Sequence, residues 1–246
     1  MQLEPLKQFK IQQLFEINLF GIDFSFSNSS LFMILSMLSV VVVGLLYKRN
    51  YHGADGIVKI NRIQAASELL YEMVTKTILG TCGSNGLKYT AEIFSLFIFI
   101  MLCNAFGMIP GGFTATSHIV VTFAIALTLF IFVNIIGFAK HGLHYFSLFL
   151  PKGTPAFLAP LMIVIELFTY LSRPFSLALR LAANMTAGHI VLKVFAVFVT
   201  VSGILGIFPF GMLIILSGFE IFVAILQAYI FTILTCVYLN DALNMH

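Results

Sequence analysis

Four charged side chains stand in stretches that are otherwise apolar: Glu166, Arg173, Arg180 and Glu220. Their polar company is Ser176, Asn184, His189 and Gln227. A charge at the centre of a hydrocarbon layer costs about 2.5–3.5 kcal/mol on insertion scales, so each needs a partner or a task. Pairing with one another as structural glue is the simplest account of any one of them. The set argues for more. At 100° per residue, Glu166, Arg173, Ser176, Arg180 and Asn184 fall within about 40° of one line on a helix. Glu220 and Gln227, seven residues apart, share a face of another. Two such stripes facing each other would line a wet path.

His189 lies nine residues beyond Arg180. That spacing turns it about 180° around the helix and carries it roughly 13 Å further along. It belongs to a different face, and a titratable imidazole on one side with a guanidinium on the other suits two aqueous routes divided by the arginine. Arginine keeps its charge at any physiological pH, with a pKa of about 12.5 or higher. Histidine and glutamate can be tuned toward neutrality, which a proton relay requires. A lone histidine in such a place is otherwise a satisfied core residue.

The elements that must hold these groups are helices. Of 246 residues, 60% are apolar and 9% charged, and the mean hydropathy is +1.03. A soluble domain carries about a quarter charged residues, so hydrocarbon is the solvent for much of this chain. The expected fold is an all-α integral membrane protein of about five membrane helices plus an amphipathic interfacial helix, in one domain spanning 1–246. Leu31 to Leu46 gives a first span over 31–47. Ile63, Ala66, Leu70, Met73, Val74 and Thr77 recur at helical spacing opposite Glu68, Glu72 and Lys76, which predicts the interfacial helix over 63–79. Second and third spans follow at 92–110 and 118–139, the former closed by Pro110, Gly111 and Gly112. After a polar segment with Lys152 and Pro155 the chain stays apolar almost to Tyr238, broken strongly only by Gly203, Gly206, Pro209 and Gly211. Two long helices, 156–202 and 211–240, are therefore expected to meet near residue 206. The first, at about 45 residues, would be roughly 68 Å long against a hydrocarbon core of ~30 Å. It either breaks again or lies steeply tilted.

Basic residues gather in 47–90 (Lys48, Arg49, Lys59, Arg62, Lys76 and Lys88) and in 140–155 (Lys140 and Lys152), against Lys7, Lys10 and Lys193 elsewhere. The positive-inside rule puts those loops and the C-terminus in the cytoplasm or matrix, and the N-terminus outside. The net charge of +3 is small and its thirteen basic residues are scattered, so no nucleic-acid partner is expected. Cys82, Cys103 and Cys236 lack metal-ligand spacing and read as structural thiols, with neither a disulfide framework nor a zinc site. The first thirty residues give no signal-peptide pattern.

The run SLALRLAANMTAGH, Ser176 to His189, resembles the signature of subunit a of F-type ATP synthases, in which an arginine lies four residues before an asparagine. EIFVAILQAYIFTILTCVYLNDA, Glu220 to Ala242, resembles that family's last helix. CNAFGMIPGGFTATSH, Cys103 to His118, and FSNSSLFMILS, Phe26 to Ser36, match in kind and order, so the resemblance covers most of the chain. His189 with Glu220 is similar to the mitochondrial arrangement and its alphaproteobacterial relatives, and LNDALNMH resembles plant and protist mitochondrial members. Ala182, where a bulky phenylalanine is common, and Gly107, where some bacterial members carry an acid, depart from the pattern.

The resemblance implies a non-catalytic, proton-translocating stator subunit packed against a ring of c subunits, with the peripheral stalk and other ATP synthase membrane subunits as further partners, embedded in lipid. It implies that Arg180 is the essential arginine, Asn184 and Gln227 its polar neighbours, and His189 with Glu220 the outer half-channel. Glu166, Arg173 and Ser176 match less universal polar positions. It also implies the mitochondrial inner membrane, with the N-terminus in the intermembrane space and the C-terminus in the matrix, or a bacterial plasma membrane as the alternative, and no cofactor. Other classes fit less well. A secondary transporter would show internal repeats, a haem or quinone subunit would need paired membrane histidines, and an enzyme would need converging catalytic groups or a phosphate loop.

Overall fold

A computed structural model describes residues 13–15, 18–19, 22–23, 25–51, 62–109, 112–150 and 157–244. The predicted punctuation at Pro110, Gly111, Lys152 and Pro155 lies outside the described residues, as do Lys7, Lys10, Lys59, His52 and His246. Four very short strands precede the helices: β1 (Gln13–Phe15), β2 (Asn18–Leu19), β3 (Ile22–Asp23) and β4 (Phe26–Ser27). β1 pairs antiparallel with β4 across an irregular register, and β2 with β3.

Most of the described residues after them are helical. Ser27 opens α1 (Asn28–Tyr51), its hydroxyl accepting the amide of Ser30 at 3.4 Å as an N-cap does. The amphipathic segment forms α2 (Arg62–Cys82), with Lys76 and Glu72 paired at 2.8 Å on its exposed face. A 3-10 segment (Gly83–Tyr89) then leads directly into α3 (Thr90–Gly107). α4 (Ile119–His141), α5 (Ala159–Val201) and α6 (Ile207–Leu243) follow. α2, α4 and α5 stop at Gly83, Gly142 and Gly203, whose φ values of 66°, 57° and 54° are left-handed and cheap only for glycine.

One helix start differs from expectation. The last helix begins at Ile207 instead of 211, because Pro209 sits in its first turn, where an absent N–H costs no hydrogen bond. α2 and α3 are joined by the 3-10 segment with no open loop, and Ala65–Gly107 as a whole is long and apolar enough to cross a membrane. Ile119–Phe149, Ala159–Val201 and Ile207–Leu243 also qualify among the described residues, and Asn28–Val42 is a shorter apolar helix. The question left open for α5 is answered. It is one helix of 43 residues with Pro174 inside it, so the first of the two alternatives, a second break, does not occur.

The distribution of side chains is that of a protein whose solvent is oil. Leu143, Phe168, Ile207, Phe208 and Val120 are more than two-thirds exposed, whereas Asn104, Thr116, Thr122, Gln227 and Thr232 are buried. Ala126, Ala178, Ala182, Ala224 and Ala228 are buried too, as small residues are where membrane helices approach closely.

The chain divides into two compact units. The first comprises the described residues up to Arg49 together with Ile98–Val121 and Arg180–Ala228, and the second comprises the remainder. In the second, the Tyr145 ring lies against Gly137, where even a methyl group would fall 2.3 Å from it. Val133, Tyr145 and Ala242 form a core with Phe132 and Tyr238 packed on it. Lys140 Nζ donates to the Leu243 carbonyl at 2.8 Å, and His141 Nε2 lies 3.2 Å from the same oxygen, so the last carbonyl of α6 is capped by the lysine as the helix dipole favours.

Candidate functional site

Five of the eight candidate residues fall in the first unit: Arg180, Asn184, His189, Glu220 and Gln227. α5 presents Arg180, Ala183, Asn184 and Ala187 on an exposed face, while its other side buries Leu181, Ala182, Met185 and His189. Arg180 makes no ion pair among the described residues. Asn184 Nδ2 donates to Gln227 Oε1 at 2.8 Å and thereby ties α5 to α6.

His189 and Glu220 are each 6% exposed and meet at 3.4 Å, Nδ1 to Oε1. Neither carboxyl oxygen of Glu220 makes a hydrogen bond among the described residues. A buried carboxylate without hydrogen bonds is costly. Gly188 makes the approach possible, because a Cβ there would stand 2.7 Å from Glu220 Oε1. Beside the pair opens a cavity of about 510 Å³ bordered by Asn184, Gly188, Val191, Leu216, Phe219 and Glu220. That volume exceeds many times the ~30 Å³ of a water molecule.

The loop before α4 closes the other side of the histidine. Thr114 Oγ1 is 2.7 Å from His189 Nε2 and 3.3 Å from the Gly107 carbonyl. Thr116 donates to Asn104 Oδ1 at 2.8 Å, Asn104 donates to the Ala224 carbonyl at 3.1 Å, and Thr186 donates to the Ser117 carbonyl at 3.1 Å. The loop is thus stitched to both long helices. Phe113 and His118 stack at 5.1 Å within it, and burial holds the His118 imidazole below its ordinary pKa.

The other three candidates belong to the second unit, where their partners differ from those the stripe suggested. Arg173 donates to Asp241 Oδ2 at 2.9 Å, and its guanidinium lies 5.0 Å and 4.9 Å from the ring centres of Tyr170 and Tyr238. Tyr170 donates to Asn134 Oδ1 at 2.6 Å and accepts from Tyr145 at 2.9 Å. Glu166 is half-buried and Ser176 exposed on α5.

Asp241, Thr114 and Asn104 are polar residues of this architecture that the sequence reading assigned no part. Asp241 carried a signal as an acid at the end of an apolar helix. Thr114 and Asn104 stood inside a quoted motif without any cue to their partners. Cys82, Cys103 and Cys236 are buried and free, with Cys82 Sγ 3.1 Å from the Cys236 carbonyl. Among the described residues no group of three or more His, Cys, Asp and Glu side chains is placed to hold a metal. Compared with known protein families, residues 30–240 match the one described as ATP synthase A chain.

Proposed function

From its membership of the ATP synthase A chain family, to which the chain belongs over most of its length, we infer a stator subunit that offers two aqueous half-channels to the carboxylates of a rotating c-subunit ring. Arg180 is the partition between them. The observation that carries this reading is the contrast on α5 between an exposed guanidinium without an ion pair among the described residues and a buried His189–Glu220 pair beside a cavity of about 510 Å³. In hydrocarbon such a guanidinium calls for an acid or water from outside the chain, and a ring carboxylate is the acid that the family supplies.

Protons reach the ring from one side through the His189–Glu220 cleft and neutralise a carboxylate, which can then rotate into lipid. On the far side of Arg180 the fixed cation favours the ionised carboxylate and the proton leaves. Asn184 and Gln227 hold the two helices together beside the arginine, while Glu166, Arg173 and Ser176 stand at less universal polar positions of the same helix, where Arg173 is held by Asp241. A membrane potential contributes about 2.3 kcal/mol per charge per 100 mV. Nucleotide chemistry resides in other subunits, the peripheral stalk among the partners. The proposed location is the mitochondrial inner membrane with the C-terminus in the matrix, and a bacterial plasma membrane is the alternative.

Replacing Arg180 by alanine or glutamine in the reconstituted complex should abolish ATP-driven acidification of vesicles. Normal acidification in either variant would refute the role.

A further inference from the structure

The Thr114 hydroxyl stands between two acceptors, the Gly107 carbonyl at 3.3 Å and His189 Nε2 at 2.7 Å, and the residue is 2% exposed. A hydroxyl has one proton to donate and lone pairs to accept with, so the two contacts are coupled. When Thr114 donates to Gly107 it must accept from an Nε2–H. The Nδ1 lone pair then faces Glu220 Oε1 at 3.4 Å, which is favourable only with a proton on the carboxyl. When Thr114 instead donates to Nε2, the ring proton is on Nδ1, the nitrogen 3.4 Å from Glu220 Oε1, and Glu220 is ionised. The first arrangement holds one proton more than the second.

We propose that Thr114 is a positioning residue for the His189–Glu220 pair, its hydroxyl turning between Gly107 and His189 as the pair gains and loses a proton. Loading balances as follows. Thr114 turns its O–H to the Gly107 carbonyl, an incoming proton binds Nε2 and donates to the freed Thr114 oxygen, and the proton on Nδ1 passes to Glu220 Oε1. One proton enters and the imidazole ends neutral, as it began. Two glycines make room: a Cβ at position 107 would fall 2.4 Å from Thr114 Oγ1, and one at position 188 would fall 2.7 Å from Glu220 Oε1. Lys193, one turn along α5, is the charged neighbour that also acts on His189.

The proposal rests on the translocation reading of this pair, and its test separates the two. In the assembled complex in liposomes, Thr114→Val removes the hydroxyl and keeps the shape, while Thr114→Ser keeps the hydroxyl. Acidification per assembled complex should fall about fivefold or more in the valine variant, as expected for buried nitrogens deprived of a partner, and stay within about twofold of wild type in the serine variant. Infrared difference spectra of isotope-labelled histidine, corrected with His189→Gln, should show the wild-type ring changing tautomer on titration and the valine variant keeping one. Equal impairment of both threonine variants, wild-type flux in Thr114→Val, or a single tautomer throughout in the wild type overturns the proposal. Wild-type flux in Glu220→Leu overturns the translocation reading and the proposal with it. Lost flux there beside normal flux in Thr114→Val overturns the proposal alone.

Discussion

Two ionic clusters among the described residues, one part-buried around Arg173 and one buried around Glu220, are answered by their neighbours to very different degrees. Around Arg173 the charge is answered on every side: a carboxylate at 2.9 Å, two tyrosine rings within 5.0 Å, and a hydroxyl chain that ends on Asn134. Around Glu220 the carboxylate has a histidine at 3.4 Å, no hydrogen bond among the described residues, and a cavity alongside. A fully satisfied charge is immobile because any displacement forfeits several interactions together. An under-satisfied one changes its protonation at little cost. The contrast teaches that in an oily protein the charges that stay and the charges that move are told apart by how completely their neighbours answer them.

Three substitutions would break or sharpen that contrast. The largest effect is expected for Asp241→Ala, which leaves the Arg173 guanidinium, 18% exposed, without its acid. The loss should be about 3 kcal/mol of stability, at the upper end for a hydrogen bond to a charged group, read as a reduced yield of assembled complex with unchanged flux per complex. Unchanged yield would show that the pair is not structural. Next comes Glu220→Leu, for which proton flux should drop about a hundredfold, equivalent to about 2.7 kcal/mol, while assembly stays normal. Equal flux at equal protein level would make Glu220 a packing residue like its counterpart. The smallest is Gly188→Ala, which pushes the carboxylate away from His189 and should slow flux about fivefold through misalignment alone. A neutral result would mean that the 3.4 Å approach has no role in transfer.

The helices were legible because in a membrane protein apolar runs and their glycine ends dominate every other signal. Predicted limits for α3 and α4 fall within three residues of the observed ones. The start of α6 was misplaced because proline was read as a breaker where position makes it harmless. The 3-10 connection at Gly83–Tyr89 and the small strands carry no periodicity long enough to read. For the site, single polar residues in apolar surroundings stood out, and their pairings did not. Arg173 and Asp241 are 68 residues apart, and Thr114 and His189 are 75 apart. No local pattern encodes a hydrogen bond over that distance, and only the packing of α5 and α6 determines which faces meet.

Because α5 runs unbroken for 43 residues, it keeps angular phase along its whole length. One residue added between Pro174 and Arg180 would turn everything after it by about 100°, swinging the outward guanidinium and the inward imidazole away from their present bearings together. Such a helix can absorb many exchanges of one side chain for another and scarcely any change in the count of its residues.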